Sequence, residues 1–312
     1  MRKILVTGGA GFVGSAMSEK LIKDPENYVV IVDDLSTGDI QKLPQLPKRN
    51  WRFIKADVNN YNDLSQVMFA NQFEYVFHYA AVVGVERTQL NPYKVLNDIQ
   101  GFKNILDISK NTGVKRIFFA SSSEVYGEPV ELPQNEHTTP LNSRVPYAVV
   151  KNVGEAFLRS YHKEFDLDFT IFRFFNTYGH KQSPDFVMSR FISKALLNEP
   201  ISIYGDGLQS RTFCFIDDNI DACVRAAYDN LFVNDVVNIG NDNEITILDL
   251  AKEIIRITNS KSELVYAPAL PEGDMHRRLP DITKMKMLLD RPLTTIEEGI
   301  NKILKDTSFI IS

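Results

Sequence analysis

Between residues 1 and 175, short apolar runs alternate with longer stretches in which apolar residues recur every three or four positions. KILVT (3–7), YVVIVD (28–33), WRFIKAD (51–57), YVFHYA (75–80), RIFFASS (116–122) and FTIFRF (169–174) are rich in β-branched and aromatic residues. Such runs predict buried strands. The segments 12–23, 62–70, 92–110 and 147–165 carry the helical period. This alternation predicts an α/β domain: a doubly wound parallel sheet with helices on both faces. After about residue 176 the pattern loosens. Helices are expected over 185–197 and 246–258, short strands at ISIYG and VVNIG, and a proline-rich loop over 268–280. A first domain over 1–175, with 213–240 returning to it, is therefore expected. A smaller lobe, 176–212 and 241–312, is expected to close over the carboxyl edge of the sheet, where α/β folds bind ligands.

Composition narrows the function classes. The 312 residues are 44% hydrophobic and 24% charged with a net charge of −5, and no Lys/Arg run forms a nucleic-acid footprint. Two cysteines, Cys214 and Cys223, are too few for a disulfide framework or a zinc site, so no metal is expected. The start MRKILVTGG meets glycines where a signal peptide would continue its apolar run. No segment approaches the ~20 apolar residues that span a bilayer. A cytoplasmic location follows as an expectation.

VTGGAGFVGS follows the first strand and opens the first helix, with Gly8, Gly11 and Gly14 spaced GxxGxxG. That spacing permits a tight turn, a close backbone approach to a pyrophosphate, and close helix–strand packing. The helix N-terminus adds N–H groups for the phosphates, which brings in Phe12 and Val13. The second strand ends in Asp33, whose carboxylate would accept both ribose hydroxyls and repel a 2′-phosphate, favouring NAD over NADP. Alternatively, Asp33 and Asp34 cap a strand in the loop DDLSTG. Asp57 and its neighbour Val58, at the end of the third strand, suit the adenine edge. The sheet is thus expected to be Rossmann-like.

Tyr147 and Lys151 in YAVVK are spaced i, i+4 and share a helix face. An ammonium beside a phenol is expected to lower its pKa, so that phenolate can take a proton from a sugar hydroxyl. Lys151 also counts among the cofactor-binding residues. Ser122, at the end of the fifth strand, is placed to hydrogen-bond the alkoxide as it becomes a ketone. Taken alone, a Tyr-x-x-x-Lys pair could equally be an exposed helix pair.

TGGAGFVG, the strand end SSSEVYG and YAVVK together resemble the extended short-chain dehydrogenase/reductases. More narrowly, they resemble the nucleotide-sugar epimerase/dehydratase/decarboxylase branch. VDDLSTG, FHYAAVVGVERTQLNP, FRFFNTYG, YGDGLQSRTFCFIDD, NIGN and PDITK extend the likeness nearly end to end. The resemblance implies an NAD that is held through a catalytic cycle and used to make a transient 4-keto sugar. It also implies that Asn176, Arg211, Arg277 and Arg278 bind the substrate's diphosphate or ribose. Surface ion pairs are the alternative for the arginines. A homodimer through a bundle of helices 92–110 and 147–165 is implied too, with Ile99, Phe102, Ile105, Val153, Phe157 and Tyr161 as candidates; these could equally pack on the sheet.

The strand end bears on the reaction that follows oxidation. Dehydratases of the branch carry Thr-Asp-Glu, whereas this chain has Ser122, Ser123 and Glu124. A serine cannot protonate a leaving hydroxyl as a carboxylic acid does, so dehydration is disfavoured. UDP-glucuronate decarboxylases resemble the SSSEVYG stretch, and a decarboxylase is the leading reading. Residues 80–88, AAVVGVERT, look instead like UDP-sugar 4-epimerases, the alternative. HKQSPD lacks a Pro-Arg usual in both, and His276 stands where epimerases place an arginine. A C4 dehydrogenase or ketoreductase, and a dinucleotide sensor without chemistry, are the further alternatives.

Overall fold

A strand buried on both faces needs a continuous apolar centre, which β1 (Arg2–Thr7), β2 (Asn27–Asp33), β4 (Tyr75–His78) and β5 (Arg116–Ser122) supply as ILV, VVIV, VF and IFFA between polar ends. With β3 (Trp51–Lys55), β6 (Asp168–Phe174) and β11 (Asp235–Ile239) they form a seven-stranded sheet in the order β11-β6-β5-β4-β1-β2-β3. The pairs β1–β2, β1–β4, β2–β3 and β4–β5 are parallel. This is the doubly wound Rossmann-like architecture that the alternation predicts. The computed structural model describes residues 1–84, 88, 90–268, 277–308 and 310.

Alternate side chains divide between two cores. Leu5, Val30, Val32, Val76, Ile117, Phe119 and Ile171 face one way, into a cluster with Leu64, Phe102, Ile105 and Leu158. These last come from helices α2 (Tyr61–Asn71), α3 (Pro92–Thr112) and α4 (Pro146–Phe165). On the strands' other side chains, Phe77 stacks on Phe118 with centroids 4.5 Å apart, and Phe118 on Phe172 at 6.1 Å. Each such side chain contributes about 1.5–3 kcal/mol when fully buried. Phe102 and Ile105 are buried here, so they are committed to the sheet and offer nothing to a partner. α3 starts with Pro92 in its first turn and stops at Gly113, whose φ of 75° no β-branched residue would adopt without strain.

Register sets the carboxyl ends side by side: Thr7 lies opposite Val32 on one side and His78 on the other. Strand order reverses between β1 and β4, and the crevice at that reversal is where such sheets take ligands. α1 (Phe12–Ile22) follows β1 at this point. β3 ends at Lys55 and β4 at His78, so Asp57 and Tyr79 begin loops instead of ending strands.

The sheet and these helices belong to one compact unit, Met1–Val125, Ser143–Arg173 and Ile220–Val237. A second comprises Tyr126–Asn142, Phe174–Asn219 and Asn238–Ser312. Residues 126–142, assigned above to the first domain, fall in the second unit. There Gln134 N–H donates to Leu279 O at 2.7 Å, Asn135 Nδ2 to Asp281 at 3.0 Å, and the Tyr126 hydroxyl to Asn238 Oδ1 at 2.7 Å. The second unit pairs β7 (Thr177–Tyr178) with β10 (Cys214–Phe215), β8 (Ile201–Tyr204) with β13 (Leu264–Ala267), and β9 (Ser210–Thr212) with β12 (Glu244–Thr246). Most of the 268–280 loop lies outside the described residues. No helix among the described residues is long and apolar enough to cross a membrane.

Candidate active site

The glycine loop is shaped by contacts that exclude side chains. Gly8 has φ +68°, and a Cβ there would lie 2.6 Å from the Ala80 nitrogen. A Cβ on Gly14 would lie 2.2 Å from the Gly8 carbonyl oxygen, a backbone atom that cannot swing away. Gly11 N–H donates to that same oxygen at 3.1 Å. Gly11 is the N-cap of α1 and no side chain caps the helix, so the first turn at Phe12, Val13 and Gly14 presents its N–H groups to the loop.

Asp33 is buried at the end of β2. Its Oδ2 accepts the Ala10 N–H at 2.9 Å and its Oδ1 the Leu35 N–H at 2.9 Å. Burial raises its pKa, and the two backbone donors act against that shift. Each oxygen retains a second lone pair that a ribose hydroxyl can use. Asp57 Oδ1 accepts the Asn59 N–H at 2.8 Å, and the buried Val58 gives its carbonyl to Asn104 Nδ2 at 2.9 Å. A turn closed to side chains at Gly8 and Gly14, an uncapped helix end and a fixed carboxylate together fit a dinucleotide.

The second group of residues gathers at the ends of β5 and α4. Lys151 is 3% exposed; its Nζ donates to Ala120 O at 2.7 Å and lies 5.1 Å from the Phe119 ring centroid. Burial lowers its pKa to about 8, against an upward pull from Asp98. Tyr147 is half-buried on the same face, its ring 5.7 Å from Lys151 Nζ, and its hydroxyl meets the Ser122 side chain. Ser122 Oγ also accepts the Glu124 N–H at 3.2 Å. Ser123 and Glu124 follow in one 3₁₀ turn, Ser123–Tyr126, with Ser123 buried and Glu124 half-buried.

The expectation that Lys151 lowers the Tyr147 pKa is not met. Burial first, and the Glu124 carboxylate second, hold the phenol above its usual range, and the Ser122 hydrogen bond offsets this only in part. An ammonium that lies over the ring and bonds to a backbone carbonyl acts weakly on the phenol oxygen.

Three residues that sequence reasoning missed support this group. Glu155 takes Arg173 in a two-pronged pair at 2.9 and 2.7 Å and accepts the Ser121 hydroxyl at 2.7 Å. Despite full burial its pKa is lowered by these partners. His78 accepts from or donates to Thr7 Oγ1 at 2.8 Å and stands edge-on to Phe102. Burial and Lys151 lower its pKa to about 3, so the imidazole is neutral. Asp98 sits on the apolar face of α3, with its Oδ2 accepting the Val82 N–H at 2.8 Å. A charged residue at a position where the helical period calls for an apolar one was the available signal for Asp98 and Glu155.

In the second unit, Asn176 has φ +21° and donates from Nδ2 to Thr212 O at 3.0 Å, one residue from the buried Arg211. Arg211 Nη1 donates to Ser210 O at 2.7 Å. Arg277 pairs with Ser210 as a β-bridge, and its exposed guanidinium forks onto Glu244, with Nε to Oε1 at 2.7 Å. Arg278 is buried. So Asn176, Arg211 and Arg277 converge on β9, and Arg277 has the ion pair that was its alternative role. His276 and residues 85–87 of the AAVVGVERT stretch lie outside the described residues.

The chain is similar to known proteins along nearly its whole length. The chain is 34% identical to UDP-glucuronic acid decarboxylase 1 of Danio rerio, over 97% of this chain and 72% of that protein. It is 36% identical to a putative UDP-glucose 4-epimerase of Methanocaldococcus jannaschii, over 96% of this chain and 97% of that one. The crystal structure of a UDP-glucose 4-epimerase from Thermotoga maritima with UDP-glucose superposes with a TM-score of 0.91 at 32% identity, covering 98% and 99% of the two chains. Residues 4–240 match the model of the NAD dependent epimerase/dehydratase family. With its glycine cradle, Asp33 and the Tyr147–Lys151 pair, the chain belongs to that family, and its cofactor is NAD.

Proposed function

We propose that the protein oxidises C4 of a nucleotide sugar to a transient ketone and then decarboxylates a UDP-hexuronate. The glycine loop, the first turn of α1 and Asp33 are the proposed holders of NAD, with Asp57 and Val58 at its adenine end. Tyr147 is the proposed base for the C4 hydroxyl proton, with Ser122 hydrogen-bonded to the reacting oxygen and Lys151 supplying positive charge. NAD, when bound, supplies the hydride acceptor and later the donor. Asn176, Arg211, Arg277 and Arg278 are the proposed contacts to the diphosphate and ribose; an arginine fork matches phosphate oxygens, and Arg277 would have to exchange Glu244 for them.

Once C4 is a ketone, a C5 carboxylate belongs to a β-keto acid. The C5–C6 bond breaks, its electron pair moves into the ketone as an enolate, and CO2 leaves. A proton then adds at C5 and hydride returns to C4. The observation that carries this reading is Glu124, a carboxylate close enough to Tyr147 to raise its pKa. Beside an anionic sugar such a group repels the C5 carboxylate, and loss of CO2 moves that negative charge onto the C4 oxygen, on the side of Tyr147, Ser122 and Lys151. Ser123 supplies no acid for a dehydration.

A 4-epimerase acting on a neutral UDP sugar is the second reading, favoured by the AAVVG that opens the loop after β4. Mass spectrometry and NMR of the products from UDP-glucuronate and NAD test the two. Loss of the mass of CO2 supports decarboxylation. Unchanged UDP-glucuronate, with UDP-glucose converted to its C4 stereoisomer, replaces it with the epimerase.

We also propose that the protein is a homodimer built on α4, where Val149, Val153, Ala156 and Phe157 form a partly exposed apolar strip.

A further inference from the structure

The buried face of α3 carries one carboxylate among apolar side chains. Val95, Phe102 and Ile105 hold that face at 0–3% exposure, and Asp98, one turn before Phe102, shares it at 7%. Asp98 accepts the Val82 N–H at 2.8 Å and a hydrogen bond from the Asn59 side chain. It therefore joins the loop after β4 to the loop after β3. Lys151 of α4 is the cation brought to this face: its Nζ lies 5.9 Å from the ring of Phe102, one turn along α3 from Asp98.

Among the described residues, the other groups around Lys151 do not supply its counter-charge. From β5 it meets the neutral Ala120 carbonyl, and from β4 the neutral imidazole of His78. Tyr147, on its own helix, remains a phenol, and Glu124 bears on Tyr147. Burial holds the Asp98 pKa above its usual value and Asp34 adds to this as a like charge, whereas the Val82 N–H, the Lys151 ammonium and the Asn59 side chain favour the ionised form. A buried ammonium without a counter-charge would be costly.

We propose that Asp98 is a positioning residue: its buried carboxylate is the counter-charge that keeps Lys151 an ammonium, aimed at the carboxyl edge of the sheet beside Tyr147. Its importance for turnover rests on the Tyr147–Lys151 reading given above, but its effect on Lys151 does not.

Asp98→Asn keeps the shape and an oxygen for the Val82 N–H while removing the charge. Nitrogen-15 NMR of Lys151 in the cofactor-free protein should show the midpoint, about 8 in the parent, falling by about one pH unit in the variant. The alkaline limb of turnover should fall with it, with KM held. An unmoved Lys151 midpoint overturns the proposal. Should the variant not fold, the Asp98 carboxyl carbon of the parent serves instead: it should show an inflection at the Lys151 midpoint, and a curve without one overturns the proposal. A shifted Lys151 midpoint together with full turnover in Tyr147→Phe leaves Asp98 as proposed and removes the catalytic reading of the pair.

Discussion

A phenol that has to accept and return a proton sits, in Tyr147, where burial and Glu124 both favour its neutral form. The free protein should therefore hold tyrosine, not tyrosinate, throughout the neutral range, and an ultraviolet titration should place the Tyr147 midpoint above 10. Tyr147→Phe keeps the ring over Lys151 and removes only the hydroxyl. Turnover should fall by about 10²–10⁴-fold, the usual worth of a positioned acid or base, while calorimetry still detects NAD binding. Turnover at the parental rate would place the proton acceptor elsewhere. The residues of this site divide by how local their signal is. Gly8, Gly11, Gly14, Asp33, Tyr147 and Lys151 were legible because turn geometry and helical spacing are properties of a few neighbouring positions. Asp98 and His78 were not, since their meaning depends on Lys151, which is 53 and 73 positions away in the chain. The sign of the Tyr147 shift was misread for the same reason: burial is a property of the fold.

At the scale of elements, the end of β5 is held by a buried ionic joint. Ser121 of β5, Glu155 of α4 and Arg173 of β6 share one carboxylate, which ties the strand that carries Ser122 to the helix that carries Tyr147. Glu155→Ala removes the carboxylate that the buried Arg173 forks onto and should cost about 3–5 kcal/mol, read as a lower urea midpoint. The carboxyl's pKa is lowered from 4.5 in the fold. Its stabilisation is therefore complete above the unfolded value and is lost as pH falls through the folded one. Acid unfolding of the parent should show this loss, and the Ala variant should lack it; parallel acid curves would deny the joint its role. The strands and helices themselves were legible from periodicity, because parallel strands and amphipathic helices impose it. Segment 126–142 was not, because its place is set by hydrogen bonds to residues 238, 279 and 281, more than a hundred positions on.

At the scale of the whole molecule, α4 carries a face on which a second copy could pack. Along α4, Ala148, Lys151, Glu155 and Leu158 are buried, whereas Val149 is 40% exposed and Val153, Ala156 and Phe157 stand beside it on the outward side. On α3, Tyr93 and Leu96 are likewise exposed, at 77% and 44%, and Tyr161 of α4 reaches Asp107 of α3 at 2.8 Å. An isolated chain would leave this strip in water, at about 25 cal/mol for each Å² of apolar surface. Two copies packing α3 and α4 into a four-helix bundle would cover it, and a stable interface buries about 1,200–2,000 Å² in total. In such a bundle the buried Phe102 and Ile105 would take no part, and Val149, Val153, Ala156 and Phe157 of α4 would meet the second copy. Sedimentation equilibrium should give the dimer mass for the parent. Val153→Asp places a charge at the middle of the strip and should give a folded monomer with unchanged far-ultraviolet circular dichroism. A monomeric parent, or a Val153→Asp variant that stays dimeric, would locate any interface on another face.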